Sequence, residues 1–241
     1  MSLHYEITLQ ENLTVRHRQQ MLKLMQTHYL NVDPETFSHD LVEKEWVIIL
    51  YDSNNQIAGF STLLTFDFTH ASQNLKIAFS GDTIISPDHW GTMQLPLAFG
   101  HLMNRLQESS SGRPLYWMLI SKGFRTYRFL PVFFRTFYPC CKWPTPAFEQ
   151  SLIHALGAHR YPANYQGGIL RAKPGSQILK RELAGSVQHT VRHDPHIEFF
   201  FRQNPGHARG DELVCLAPYH WDNLPAYIRR QLAPATEVVL P

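Results

Sequence analysis

Within one unit at about 75–121 the chain changes its hydrophobic period twice. KIAFSGDTIIS is β-branched and apolar and reads as a strand. Ser86-Pro87-Asp88 stops it, because proline removes a ladder donor and all three residues favour a turn. Leu95, Phe99, Leu102 and Leu106 then recur at i, i+4, i+7 and i+11, one stripe of an amphipathic helix, with Pro96 tolerated near its first turn. After the SSSGRP loop, LYWMLIS (115–121) is apolar throughout, as a strand buried on both faces is. A strand, a tight corner, a helix and a second strand point to an α/β domain.

The flanks extend the pattern. EITLQ (6–10) reads as a first strand. Helical spacing over 14–29 starts at the cap residue Thr14, and Asp33-Pro34 opens a second helix through Phe37 and Leu41. EWVIILYDSNNQIAGFSTLLTF is an antiparallel hairpin, strands near 46–51 and 56–66 around a polar turn. Phe129, Phe133 and Phe137 mark a helix that Pro131 should kink or divide. Residues 139–195 are rich in proline, glycine and histidine and read as an insertion or lid, with helices near 146–157 and 176–187. HIEFFFRQN and DELVCLAPY form an expected second hairpin, and a short helix at 224–232 ends the chain. The expected organisation is a core at 1–138, the insertion at 139–195, and a closing hairpin and helix at 196–241.

Composition narrows the function. At 241 residues, 44% hydrophobic and 17% charged, the chain can bury a substantial core. A formal charge of +2 without a basic run argues against nucleic acid. No apolar stretch is long enough to span a bilayer, and the N-terminus lacks a signal-peptide pattern. Three cysteines, Cys140, Cys141 and Cys215, read as reduced thiols in a cytoplasmic protein. His189, His193 and His196 do not make a metal site on spacing, because Asp194-Pro195 breaks any helix there, so no metal is expected. Motifs for serine hydrolysis, nucleoside triphosphates and dinucleotides are missing.

The element order resembles the GNAT superfamily of N-acyltransferases over about 6–138 and again at 196–219. The resemblance implies a mixed, mainly antiparallel sheet flanked by helices, whose fourth strand splays from the fifth. Acyl-coenzyme A would lie in that gap, its pyrophosphate at the loop and helix N-terminus after the fourth strand, where unpaired N–H groups and the helix dipole favour anions. The family's corner is a basic residue or Gln, two residues, Gly, one residue, then Gly or Ala. Trp90-Gly91-Thr92-Met93-Gln94-Leu95 occupies it here, keeping Gly91 but placing Gln94 or Leu95 at the second small position.

By the same resemblance, a backbone N–H from Thr83, Ile84 or Ile85 would polarise the thioester carbonyl. Asp82 would act as base and Tyr127 would protonate the departing thiolate. Lys122, Arg125 and Arg128 would meet a coenzyme A phosphate or the acidic face of an acyl carrier protein. The acceptor would be a small-molecule amine. Trp143, Phe148, Tyr161 and Tyr165 either line its pocket or form the insertion's own core. A non-catalytic binding module on the same fold, for a metabolite or a protein partner, is the alternative.

Overall fold

The hairpin forms the second and third strands, counted from one margin, of an eight-stranded mixed sheet. The computed structural model describes residues 3–180 and 194–233. Its elements run β1 (His4–Leu9), α1 (Val15–His28), β2 (Tyr29–Leu30), α2 (Pro34–Val42), β3 (Trp46–Tyr51), β4 (Ile57–His70), β5 (Gln73–Ile85), α3 (Gln94–Ser109) and β6 (Leu115–Ser121). There follow α4 (Phe124–Tyr127), α5 (Phe129–Phe133), α6 (Ala147–Arg160), β7 (Tyr165–Gln166), β8 (Ile169–Leu170), β9 (Ile178–Leu179), α7 (Pro195–Gln203), β10 (Glu212–Tyr219) and α8 (Ala226–Leu232).

The sheet order is β1-β3-β4-β5-β6-β10-β8-β7, and β2 pairs with β9 in a separate two-stranded ladder. β5 and β6 are parallel, joined by α3; the other neighbours in the large sheet are antiparallel. This is the mixed, mainly antiparallel sheet flanked by helices that was expected. β6 alternates as a doubly covered strand must: Trp117 and Leu119 join one apolar cluster with α3, α7 and α8, while Tyr116 and Met118 join another with Leu152, Ile153 and Leu156 of α6. A third cluster packs Met21 and Met25 of α1 and Phe37 and Leu41 of α2 over Val47, Ile49, Phe60 and Ile84.

Local chemistry accounts for the boundaries. The Thr14 hydroxyl accepts from the His17 N–H, and the Asp33 carboxylate accepts from the Thr36 N–H with Pro34 in the first turn. Pro131 has no N–H to offer the Tyr127 carbonyl, and the segment from Phe124 is divided into α4 and α5. The second piece ends at Phe133, where Phe134 turns extended, so Phe137 lies outside the helix it was expected to mark.

Two further expectations fail. HIEFFFRQN is the helix α7 rather than a strand: the Asp194 carboxylate accepts from the His196 N–H, Pro195 opens the first turn, and Ile197 and Phe200 bury one helical face. β10 is therefore paired by β6 and β8 instead of by a hairpin partner. A helix at 176–187 is not what its start shows, since Ile178 and Leu179 pair with Leu30 and Tyr29; residues 181–187 lie outside the described residues. Of the insertion aromatics, Trp143, Phe148, Tyr161 and Tyr165 all pack against the α6-side cluster.

Candidate active site

The sheet opens where β5 and β6 part. Their parallel ladder joins Lys76–Ser80 to Leu115–Leu119 and stops there, although β5 continues to Ile85 and β6 to Ser121. The parting coincides with a bulge. β5 pairs Ser80 with Leu63 but Thr83 with Ser61, so Gly81 and Asp82 together face Thr62. Gly81 sits in a close approach: a Cβ there would lie 2.6 Å from the Thr62 hydroxyl and 2.7 Å from Lys44 Cε, so a larger residue would make those side chains move.

The extra residue inverts the alternation of β5. Beyond the bulge, the Ser86 N–H bonds the Ala58 carbonyl, so Ile84 turns its backbone to β4, while Thr83 and Ile85 turn theirs into the gap. The Ile85 carbonyl is already engaged, accepting from the Trp90 indole N–H at 2.8 Å with His28 Nε2 at 3.2 Å. The N–H groups of Thr83 and Ile85 both face the gap, and of the two residues Thr83 borders both large cavities at this opening, which makes its N–H the better placed to polarise a bound carbonyl.

Two cavities meet at this opening. The larger, about 570 Å³, is lined by Thr83, Ile84, Ile85, Trp90, Gly91, Lys122 and Arg125, among others. The second, about 480 Å³, holds Asp82 together with Asp40, Lys44, Arg160, Tyr161 and Glu212. Tyr29, Thr83, Lys122 and Thr126 border both. A small apolar cavity of about 40 Å³, between Phe99, Trp117, Phe129 and Phe133, also reaches Thr83 and Thr126.

The second cavity brings opposed charges together. Burial raises the Asp82 carboxyl above the usual range, against the pull of Lys122 and Lys44. Burial lowers the Lys44 ammonium despite Asp40 and Asp82. Burial also opposes the charge on Lys122, but Glu212 at 3.3 Å, then Tyr29 and Asp82, outweigh it and leave that ammonium above its ordinary value. Burial pushes the Tyr29 hydroxyl up to about 12, with Lys122 offsetting part of the rise. A proton acceptor and a proton donor thus flank one cation.

The corner is less open than its glycine suggests. Gly91 has φ +87°, and a Cβ there would meet nothing within 4 Å, so the left-handed backbone rather than crowding selects glycine. The Gln94 N–H, however, is taken by the Thr92 hydroxyl at 3.2 Å, and Pro96 contributes no donor. The Arg125 guanidinium stacks 4.0 Å above the Trp90 ring. Thr92, Met93 and Gln94 line neither large cavity: Thr92 caps, Met93 packs on the core, and Gln94 starts α3.

Tyr127 is also apart from the cleft. It is fully buried among Phe137, Phe199 and Phe200, and its hydroxyl donates to the Pro139 carbonyl at 2.9 Å. Sequence reasoning missed Tyr29, Lys44 and Glu212, which enter from α1–β2, the α2–β3 loop and β10. His196 lies on α7, whereas His189 and His193 lie outside the described residues.

The sheet thus opens between two parallel strands that a crossover helix joins, and two cavities meet at the opening. No family model and no curated protein matches the sequence. Among solved structures, the chain is similar to a probable N-acyltransferase from Enterococcus faecalis, at 13% identity and TM-score 0.43, over 57% of this chain and 33% of that one. It is similar to a GNAT family N-acetyltransferase from Escherichia coli in complex with CoA, at 12% identity and TM-score 0.36, over 54% and 69%. A predicted acetyltransferase with acetyl-CoA from Clostridium acetobutylicum gives 15% identity and TM-score 0.38, over 50% and 81%. The chain spans about a third of the length of the first of these. Among the described residues, no helix is long and apolar enough to cross a membrane.

Proposed function

We propose that the chain is an N-acyltransferase that moves an acyl group from acyl-coenzyme A to a small-molecule amine. The observation that carries this reading is the pair of cavities meeting at Thr83, Lys122, Thr126 and Tyr29, one with a cationic rim and one built around Asp82. Donor and acceptor can then approach a single point from opposite sides of the sheet. Arg125 and Lys122 border the donor side, together with Arg128. The small apolar cavity beside Thr83 suits the tail of a short acyl group.

In this reading Asp82 takes a proton from the incoming ammonium, freeing the nitrogen lone pair to attack the thioester carbon. The Thr83 N–H steadies the charge that develops on the carbonyl oxygen. As the carbon–sulfur bond breaks, Tyr29 passes its hydroxyl proton to the sulfur and regains one from the newly acylated nitrogen, which is left as the neutral amide. Lys122 stabilises the transient phenolate, and Asp82 releases the first proton to solvent. Tyr29 replaces Tyr127 as donor because it borders both cavities. Side chains, Arg125 first among them, hold the coenzyme phosphates in place of the depleted helix N-terminus.

The test is thermal unfolding with acyl-coenzyme A esters of increasing chain length, followed by turnover with an amine panel. A raised midpoint with short esters, and turnover lost in Asp82→Asn while the midpoint shift survives, is the expected result. The capped Gln94 N–H and Pro96 favour the binding-module reading; ester binding without turnover of any amine would select it.

A further inference from the structure

Away from the cleft, Cys140, Cys141 and His196 bring three ligand atoms within 4.8 Å of one another. The two thiols come from the loop that follows Tyr138, and the imidazole from the first turn of α7, 55 residues later. Cys141 Sγ lies 3.4 Å from His196 Nδ1. The Asp194 carboxylate accepts the His196 N–H at 2.9 Å and so fixes where that residue begins its helix. Phe137 packs on the His196 ring and on Trp143, giving the cluster an apolar wall. The Cys140 sulfur faces the backbone N–H groups of Lys142 and Trp143, the kind of donor that steadies a metal-bound thiolate.

We propose that Cys140, Cys141 and His196 form a binding site for a soft, thiol-seeking metal ion, Zn(II) or Cu(I). Two sulfurs and one imidazole nitrogen suit either ion. With Zn–S near 2.3 Å and Zn–N near 2.0 Å, ligand atoms stand roughly 3.4–3.8 Å apart, so the widest pair has to close by roughly 1 Å. Cys140 and His196 are buried and Cys141 is half-buried, which leaves an approach on the Cys141 side. For Zn(II) this leaves a fourth position for water; Cu(I) is content with three ligands. The ion would staple the 139–146 loop to α7, whose Phe201 borders the larger cleft cavity. The amine-transfer chemistry proposed above makes no use of it.

The test uses the full chain, reduced and stripped of metal by a chelator. It is loaded separately with Zn(II), Cu(I) and Co(II), then passed through gel filtration. One ion retained per chain, with a thiolate-to-cobalt charge-transfer band for Co(II), is expected. Cys141→Ser, at the accessible ligand, and His196→Gln should each weaken retention by at least about tenfold and diminish that band. Retention of Zn(II) but not Cu(I), or the reverse, identifies the ion. No retention by a chain whose unfolding transition shows it to be folded overturns the site. Equal retention by wild type and by both folded variants overturns it as well.

Discussion

Asp82 occupies a bulge that gives it no strand partner of its own, and it is half-buried beside charged neighbours. Because burial raises its pKa, the folded chain holds that proton more tightly than the unfolded chain does. Stability therefore falls as pH rises from the ordinary 3.8 through the raised value. Asp82→Asn should consequently stabilise the fold at pH 7, with the gain gone below pH 3.8. A denaturation series over pH checks this, and a gain independent of pH would contradict it. Gly157 gives a second expectation. A Cβ there would collide with the ring of Tyr165, whose hydroxyl bonds His154 at 2.6 Å and the Gly168 N–H at 3.0 Å. Gly157→Ala should cost about 1–3 kcal/mol in urea unfolding. Asp82 and Gly91 were legible in the sequence because a charge in a strand and a glycine at a corner are local signals. Tyr29, Lys44 and Glu212 were not, since each looks like an ordinary surface or strand residue until distant segments meet. Cys140-Cys141 and His196 escaped for the same reason: their spacing fits no metal motif.

Elements were readable where one segment decides its own structure. Caps and period placed α1, α2, α3, β3, β5 and β6 close to where they form. Thr14→Ala should test one of these caps, with a loss of about 1 kcal/mol in thermal or urea unfolding. Aromatic runs were harder. HIEFFFRQN has strand composition, but the cap at Asp194 and the burial of Ile197 and Phe200 together make it helical. Short strands such as β8 and β9 exist only through their partners, so no local pattern could announce them. Between elements, the Lys122–Glu212 pair joins the end of β6 to the start of β10 at the cleft. Glu212→Gln leaves the Lys122 ammonium enclosed without its first partner and should destabilise the fold by about 2 kcal/mol. Glu212→Gln with Lys122→Met should recover much of that loss, as measured by a double-mutant cycle.

Across the whole molecule, one sheet runs through segments that composition sets apart. β7 and β8 extend it past β10, and α6 covers the face of β5 and β6. A single unfolding transition, superimposed by near-ultraviolet and far-ultraviolet circular dichroism, is expected, whereas two separate transitions would mean that the 139–195 segment folds alone. The two margins of this sheet are unlike. β10 meets β8 only at Glu212 and Leu213, but Tyr138 takes both backbone bonds of Leu216, at 2.7 and 2.8 Å. Short pieces of the same chain thus use up the hydrogen-bonding groups on which another copy could add a strand. Among the described residues, β1 at the opposite margin has a single strand neighbour, and it turns His4 and Glu6 outward. Since the other margin ends in the two-residue β7, the six-residue β1 is the longer edge for strand-to-strand growth, and there a charged and a titratable side chain stand in its way.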